Sequence, residues 1–432
     1  MQYTLLMIFF SICFISAVTC FEAPLIVKLT RFYKITDSDL GLLLALTTAL
    51  MAVAGIPWGY SADKYSRTRL LSLSLAVTTL SMFASALCLH LRLSYSVYFA
   101  FKLLAGLGLA GAGPIAMSTI MDTVPGQRRA AAMGLIGVAY AGGAAVGMFL
   151  GSICMRLGMS LGFAYFIGAL PGIFYSLWPL LVKEPRRGSQ DEALKETVGS
   201  GQAEYLHHIT LSDFKILFSK PVNLQMLIIT IFIQFPIQVI GIWFVTSLMR
   251  QHGLNELNAT ILMIVVGIGQ PVGNILGGLW ADRAYRNHRT GRLRVMIVVG
   301  ILAPVFLLAG ILSPFHLMLF IPLIFMANVF IGATTPPSSA IGLEVNLPEH
   351  RGTFSSLGYL VTNGARAAAW WLPPLIAVAY GGNYNMAFVF TALVYVPLVA
   401  LCAFMMFRIE PALDHVQEIL AARAVSMGQQ GD

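Results

Sequence analysis

The chain has 432 residues, of which 57% are hydrophobic and only 11% are charged. About a quarter of the residues are charged in a soluble chain, so this composition excludes a soluble globular protein and predicts a polytopic membrane protein. The net charge of +8 would suggest nucleic-acid binding in a soluble protein. Basic residues collect in the cytoplasmic loops of membrane proteins, however, and no nucleic-acid partner is expected.

Five cysteines are spread along the chain, all in or beside apolar runs, and no pair has the CxxC spacing of a metal or redox site. They are Cys13, Cys20, Cys88, Cys154 and Cys402. Neither a disulfide framework nor a metal site is therefore predicted, and no cofactor is expected.

Twelve apolar segments are each long enough to cross a bilayer, which takes about 20 residues of α-helix. We therefore predict an all-α integral membrane fold with twelve transmembrane helices in two pseudo-symmetric six-helix bundles. The predicted spans are 4–28, 38–61, 70–90, 95–123, 130–154, 160–182, 222–249, 256–280, 294–312, 316–343, 354–380 and 385–407. The predicted domains are an N-terminal bundle at 1–182, a cytoplasmic linker at 183–221, a C-terminal bundle at 222–407 and a cytoplasmic tail at 408–432, with an amphipathic helix over 411–424.

The first apolar run begins at Leu5 and continues past Glu22 to Val27. A secretory signal peptide begins with a basic stretch, which this run lacks. We therefore predict that the run is the first membrane helix, with a cleaved signal peptide as the alternative.

Arginine and lysine concentrate in alternate loops, which indicates the cytoplasmic side. Most of them lie in the tail or in the loops that begin near Asp63, Arg128, Lys183, Asp282 and Arg351. Both termini are therefore predicted to be cytoplasmic, in a multi-pass protein of a bacterial inner membrane. Three basic residues on the opposite side depart from the trend, namely Lys28, Arg31 and Lys34.

A short motif joins the second and third spans and recurs about half a chain length later. Gly59–Arg69 contains a glycine, an aspartate four residues on and a basic cluster, and Gly278–Arg286 repeats the glycine, the aspartate and the cation after it. A second pair, 125–129 and 348–352, recurs at a similar offset, as expected for two similar halves in parallel orientation. The chain therefore resembles the major facilitator superfamily over essentially its whole length, and Gly59–Arg69 resembles that family's loop motif.

This resemblance implies a conformational latch at the cytoplasmic ends of the helices. Asp63 can accept hydrogen bonds from a neighbouring helix N-terminus, where the dipole favours negative charge, or it can pair with an arginine. The predicted latch residues are Gly59, Asp63, Lys64, Arg67, Arg128, Arg129, Asp282 and Arg283. The alternative for the cations is anchoring at the lipid headgroups.

A narrower resemblance is to the spinster-like lysolipid transporters. It rests on residues 35–41, on the glycine-rich stretch 106–114 and on the basic loop after Asp282. That family has an aspartate–arginine pair in its first helix, and an arginine followed by Gly-x-Gly-Glu-Ala in its fourth. At those four charged positions this sequence has other residues, namely Glu22, Ala23, Lys102 and Leu109.

Three charges are predicted to lie well inside membrane helices, where a charge costs several kcal/mol unless it faces protein or water. Two of them, Glu22 and Lys102, fall in the outer third of their helices. We predict that Glu22 is a proton-coupling carboxylate and that Lys102 biases its protonation. A structural ion pair or a snorkelling side chain is the alternative.

The third charge, Arg366, lies about 12 residues, or roughly 18 Å, into the eleventh span. Tyr359, Asn363, Arg366 and Trp370 share one helical face, and a guanidinium beside an amide and two aromatic rings suits an anionic head group with an apolar body. Pairing with Glu344 or with backbone carbonyls is the alternative. Other membrane amides extend the predicted substrate pocket, although such amides often bond only to neighbouring helices: Gln234, Gln238, Gln270, Asn274 and Asn328.

Together these features predict a secondary active transporter that moves an amphiphilic or organic anion by alternating access, with proton coupling and a lysolipid as one candidate cargo. The expected partners are that anion, protons and membrane lipids, and a monomer is expected. The alternatives are a proton-driven exporter of hydrophobic compounds, a membrane enzyme acting on lipid, and a sensor or scaffold. No Ser/His/Asp set or HExxH motif supports an enzyme.

Overall fold

A computed structural model describes residues 2–124, 129–184, 220–313, 317–346 and 348–428. Throughout these ranges the regular structure is helical, without strands, which confirms the all-α prediction. The first half contains α1 (Gln2–Cys20), α2 (Ile26–Tyr33), α3 (Asp37–Lys64), α4 (Arg67–His90), α5 (Tyr95–Thr123), α6 (Arg129–Arg156) and α7 (Leu161–Leu181). The second half contains α8 (Pro221–Gln251), α9 (Glu256–Gly267), α10 (Gly269–Asn287), α11 (Gly291–Leu312), α12 (Leu317–Ala333), α13 (Thr335–Glu344), α14 (Pro348–Ala379), α15 (Tyr384–Leu393), α16 (Tyr395–Met405) and α17 (Ile409–Gly428).

Eleven segments of the described helices are long and apolar enough to cross a membrane. Four of the predicted spans consist of two consecutive helices each, namely α1 with α2, α9 with α10, α12 with α13 and α15 with α16. The predicted span 354–380 lies in α14, which has 32 residues but is not among the eleven. Since α14 is long enough to cross a bilayer, the described helices provide the twelve predicted spans.

Short polar side chains determine where several helices begin. The Asp39 amide N–H donates to Thr36 Oγ1 at 3.2 Å, and the Thr36 amide N–H donates to Asp39 Oδ2 at 2.8 Å. This reciprocal capping box satisfies amides that have no partner inside α3. Ser160 caps α7 by accepting from the Phe163 amide at 3.2 Å. The stretch 35–41 therefore has a local structural role in addition to its family resemblance.

The first span is not the single continuous helix that was predicted. A 3₁₀ turn, Ala23–Leu25, separates α1 from α2. Pro24 lies in this turn, and proline lacks the N–H that would continue the α-helical hydrogen bonds. Glu22 immediately precedes the turn, so the break places this carboxylate at an irregular point of the backbone, as in other discontinuous membrane helices.

Contacts group the described chain into two units. Unit 1 contains the described residues through 184 together with Val245–Ile261, and unit 2 contains residues 220–244 and the described residues from Leu262 onwards. The end of α8 and the start of α9 therefore belong to unit 1. The linker predicted at 183–221 lies almost wholly outside the described residues, and the predicted domain limits stay predictions.

Glycines permit backbone-to-backbone packing inside unit 1. A Cβ atom added at Gly143 would lie 2.2 Å from the carbonyl oxygen of Cys13, and one at Gly147 would lie 2.1 Å from that of Ala17. Only a hydrogen atom fits at either position, so α6 and α1 meet along a seam without side chains. This agrees with the close helix contacts that small residues allow in membranes.

The tail forms a helix, α17, over the residues for which one was predicted. Ile409, Leu413 and Val416 are buried, whereas Asp414 is exposed and forms an ion pair with Arg289. The helix is therefore amphipathic, and the ion pair attaches it to the turn that follows α10.

Candidate functional site

A buried carboxylate–ammonium pair lies at the break in the first span. The Nζ atom of Lys102, on α5, is 2.5 Å from Glu22 Oε1, and the two residues are 6% and 2% exposed. The sequence placed the two charges at similar depth, and the structure brings them together. Because burial removes both charges from water, such a pair needs further hydrogen bonds to be stable.

Two tyrosine hydroxyls supply further hydrogen bonds to the same carboxylate. Tyr165 donates to Glu22 Oε1 at 2.5 Å and Tyr98 donates to it at 3.2 Å, while the two hydroxyl oxygens are 2.8 Å apart. Both tyrosines are fully buried. Sequence reasoning missed them, although Tyr98 stands one helical turn before Lys102, on the same face of α5.

A change in the charge of Glu22 would affect all three donors of this cluster. A proton added to the accepting oxygen of Glu22 would displace one of its three donors, since a protonated carboxyl oxygen becomes a donor itself. The Lys102 ammonium would then lack a counter-charge in apolar surroundings, where a charge is costly.

Arg250 connects the segment Val245–Ile261 to the rest of unit 1. The guanidinium of Arg250 forms an ion pair with Asp37 at the start of α3, and its Nη2 donates to Thr30 Oγ1 at 3.1 Å. One guanidinium therefore joins the end of α8 to both α2 and α3. In the turn after α8, partial burial lowers the pKa of His252.

Two further polar contacts attach the start of α9 to the rest of unit 1. Lys28 Nζ lies 3.0 Å from Glu256 Oε1, and Ser152 Oγ donates to Thr260 Oγ1 at 2.6 Å between two buried side chains. Lys28 departs from the predicted charge asymmetry of the loops, and Glu256 provides its counter-charge.

The first predicted latch is only partly described. Lys64 Nζ lies 4.4 Å from the ring centroid of Tyr60, and this tyrosine raises the pKa of the exposed Lys64. Gly59 lies near Pro114, where an added Cβ would make an ordinary contact at 3.8 Å. The side chains of Asp63 and Arg129, and the whole of Arg128, lie outside the described part of the chain, so the predicted ion pairs between them stay predictions.

A carboxylate caps α4 at this latch, but it belongs to a residue that sequence reasoning missed. The backbone N–H of Arg67, the first residue of α4, donates to Glu184 Oε1 at 2.8 Å. A negative charge at a helix N-terminus interacts favourably with the helix dipole. Glu184 therefore accepts from a helix N-terminus, which is the role that was predicted for Asp63.

In the second latch, Asp282 pairs with an arginine that the prediction did not include. Arg292 Nη2 lies 3.0 Å from Asp282 Oδ1, and Arg292 also forms an ion pair with Glu344. The predicted Arg283 is exposed. Among the described residues, Glu344 forms its ion pair with Arg292, and no ion pair joins it to Arg366.

Three polar atoms on one face of α14 are buried without a hydrogen-bond partner: Asn363 Oδ1, Arg366 Nε and Trp370 Nε1. Asn363 and Trp370 are 1% and 6% exposed, and Asn363 Nδ2 donates to the carbonyl oxygen of Tyr359 at 2.9 Å. Within the described residues, no carboxylate forms an ion pair with Arg366. The face predicted to bind an anion therefore has unused hydrogen-bonding groups.

The other predicted amides belong to three helices of unit 2, with Gln234 and Gln238 on α8, Gln270 and Asn274 on α10 and Asn328 on α12. Asn328 Nδ2 donates to the Ile324 carbonyl of its own helix at 3.0 Å, while Asn274 Oδ1 is buried without a partner. Among the described residues no hydrogen bond joins these amides to Arg366, so the pocket around them stays a prediction.

Sequence comparison relates the chain to membrane transporters. The sequence model of the Major Facilitator Superfamily matches residues 4–369 and 226–426. A cis,cis-muconate transport protein of Acinetobacter baylyi is 26% identical over 59% of this chain and 60% of its own length. A sphingosine-1-phosphate transporter of Danio rerio is 27% identical over 39% of this chain and 34% of its own. The chain thus matches less than two thirds of each relative.

Solved structures of low sequence identity share the fold. A bacterial homolog of the human lysosomal transporter Spinster, inward-facing and unoccupied, has a TM-score of 0.73 at 19% identity, over 96% of this chain and 98% of its own. A D-xylose–proton symporter has a TM-score of 0.70 at 15% identity, over 94% of this chain and 97% of its own. The expected resemblance to spinster-like proteins is therefore confirmed as a likeness of fold.

Proposed function

Since the chain belongs to the Major Facilitator Superfamily, we propose that it is a proton-coupled secondary transporter that moves an amphiphilic or organic anion by alternating access. The two relatives described above are named for muconate, a dicarboxylate, and for sphingosine-1-phosphate, which carries a phosphate beside an amine. Each compound therefore has an anionic group. We further propose that the transporter works as a monomer in a bacterial inner membrane, with both termini in the cytoplasm.

The observation on which the anionic substrate rests is a cation without a counter-charge. Lys102, Arg250 and Arg292 each form an ion pair with a carboxylate, whereas Arg366 has no such partner in the described part of the chain. A charge inside a membrane helix is costly unless it is compensated. A guanidinium matches a carboxylate or phosphate in geometry, so the head group of the substrate is the proposed counter-charge.

The surroundings of Arg366 favour a substrate with an apolar body. Trp370 and Tyr359 lie on the same face of α14, and Tyr359 is 42% exposed. Aromatic rings bind apolar groups through a large contact area while keeping one polar atom for hydrogen bonding. An amphiphile satisfies both the guanidinium and the rings.

Proton coupling is proposed for the Glu22–Lys102 pair. Glu22 is a buried carboxylate at a helix break, and its oxygen accepts from three donors. Loss of its negative charge would release Lys102, which provides a link between proton binding and side-chain movement.

Replacement of Arg366 tests the anion site. Arg366→Ala should weaken binding of the substrate by roughly 10- to 100-fold, because a hydrogen bond to a charged group is worth about 1.5–3 kcal/mol. Thermal-shift screening of the purified protein against anionic lipids and small organic acids identifies ligands, and counterflow in liposomes measures their transport.

The matched control is Arg294→Ala, which removes an exposed cation of α11 and should leave affinity unchanged. Equal affinity of the wild type and Arg366→Ala for every anionic ligand would remove the anion site. A response only to uncharged hydrophobic compounds would favour the exporter of such compounds instead.

A further inference from the structure

The hydrogen-bonding groups left unused on α14 are of two kinds, and a bare anion would satisfy only one of them. Arg366 Nε and Trp370 Nε1 are donors, which a carboxylate or phosphate can accept. Asn363 Oδ1 is an acceptor, and an ionised carboxylate has no hydrogen to donate to it.

The orientation of the Asn363 amide follows from its second contact. Its Nδ2 donates to the carbonyl oxygen of Tyr359, four residues earlier, at 2.9 Å. Rotation of the amide would exchange this hydrogen bond for a contact between two acceptors, so Oδ1 stays on the free side. A buried acceptor without a donor destabilises a protein, and such groups are rare.

Some buried amides of unit 2 are satisfied, although Asn274 Oδ1 and Gln225 Oε1 lack a partner as Asn363 Oδ1 does. What distinguishes Asn363 is that its unpartnered oxygen shares one helical face with two unpartnered donors. Asn223 and Asn346 bond to each other reciprocally, with Nδ2–Oδ1 distances of 2.9 and 2.8 Å. Three of the buried unpartnered polar atoms, in contrast, occur on α14 at positions 363, 366 and 370. This spacing places them along one stripe of the helix.

We propose that the substrate carries a hydroxyl group close to its anionic head group. This inference rests on the anion transport proposed above. Arg366 and Trp370 donate to the anion, and Asn363 Oδ1 accepts from the hydroxyl. An ammonium group could also donate to Asn363, but its positive charge would be repelled by the guanidinium one helical turn away. The substrate class is therefore a hydroxylated organic anion, and a plain dicarboxylate is a poor match.

The spacing of the two residues limits the position of the hydroxyl. Side chains three residues apart on a helix have Cβ atoms about 5–6 Å apart, so the hydroxyl must lie within a few bonds of the anion. Tyr359, on the same stripe one turn before Asn363, is 42% exposed. The stripe therefore runs from an exposed ring at Tyr359 to the buried side chains of Asn363 and Trp370.

Two matched pairs of probes test this inference on the purified full-length protein. One pair is dodecanoate and 3-hydroxydodecanoate, and the other is lysophosphatidate and its 2-deoxy analogue, which lacks the free hydroxyl. Isothermal titration should show about tenfold tighter binding of the hydroxylated member in at least one pair, which corresponds to about 1.4 kcal/mol.

Variants separate the roles of the two residues. Asn363→Leu should abolish the preference for the hydroxylated member and keep the affinity for the plain one, whereas Arg366→Ala should weaken both. Asn363→Ala serves if the leucine variant does not fold. The control, Asn258→Leu, removes an exposed amide of α9 and should retain the preference.

Two results would overturn the inference while anion transport stands: equal affinities within both pairs in the wild type, or a preference that persists without Asn363. If no probe binds the wild type, the inference fails. If, in addition, Arg366→Ala leaves the binding of every other anionic ligand unchanged, the proposed function fails as well.

Discussion

At the scale of single residues, three donors converge on one oxygen of Glu22. The ammonium of Lys102 and the hydroxyls of Tyr98 and Tyr165 all lie within 3.2 Å of it. The ring of Tyr33 contacts that of Tyr98 at a tilt of 36°, with centroids 5.3 Å apart. Replacement of the Glu22 carboxylate by a neutral group would therefore change the contacts of all three donors.

Glu22→Gln should abolish uptake driven by a pH gradient while exchange of substrate across the liposome membrane continues. Glutamine cannot bind and release a proton, but it can still accept from the tyrosine hydroxyls. Uptake and counterflow measured on the same proteoliposomes distinguish the two activities. Unchanged pH-driven uptake would exclude Glu22 as the coupling carboxylate, and Glu410→Gln, an exposed carboxylate of α17, is the control.

The double variant Glu22→Gln/Lys102→Gln separates coupling from folding. The single variant leaves an ammonium buried without counter-charge, which costs about 3–5 kcal/mol, and the double variant removes that charge. The unfolding temperature should therefore rise again in the double variant, whereas proton coupling should stay lost.

At the scale of elements, the seam between α6 and α1 determines how closely the first span packs. Gly147→Ala would place a methyl group 2.1 Å from the carbonyl oxygen of Ala17, and the two helices would have to separate. Overpacking of this kind costs about 1–3 kcal/mol. A lower unfolding temperature in detergent is expected.

The control for this prediction is a glycine of the same helix. A Cβ atom at Gly142 would meet no atom within 4 Å, so Gly142→Ala should be neutral or slightly stabilising, because alanine is a better helix former than glycine. Equal unfolding temperatures of the two variants would show that the seam is not as tight as described.

At the scale of the whole molecule, Val245–Ile261 belongs to unit 1, although α8 begins in unit 2. Arg250→Gln removes the ion pair with Asp37 and should raise amide hydrogen exchange in this segment roughly tenfold, since a charged hydrogen bond contributes at least about 1.5 kcal/mol. Mass spectrometry of exchanged peptides measures the change. The charge exchange Asp37→Arg/Arg250→Asp should restore part of the protection.

The matched control removes an ion pair of unit 2. Arg289→Gln breaks the exposed pair with Asp414 and should leave exchange in Val245–Ile261 unchanged. Protection that persists in Arg250→Gln would mean that the remaining contacts, such as Ser152 with Thr260, are sufficient.

The helices and the presence of charges inside them were largely predictable, because both follow from the cost of polar groups in lipid. Glu22 and Lys102 are such charges, and they meet in the structure. Whether Glu22 and Lys102 form a pair was not predictable. The break at Pro24 has a visible cause in the sequence, although the span was predicted without it.

Other contacts left no local signal. Lys28 and Glu256 meet although about half the chain separates them, and no periodic pattern relates residues so far apart. Glu184 caps α4 from the segment that follows α7, and Tyr165 resembles any aromatic residue of an apolar helix. Such partners depend on how helices assemble, which composition and spacing do not determine.

The cluster at Glu22 also has a consequence for how the chain is made. Glu22 belongs to the first span, whereas Tyr98 and Lys102 belong to α5 and Tyr165 to α7. Synthesis proceeds from the N-terminus, so the carboxylate emerges from the ribosome before any of its donors exists. Until α5 and α7 have been inserted, the first span bears an uncompensated charge whose burial costs several kcal/mol. We therefore expect stable integration of the first span to require the insertion of α5 and α7.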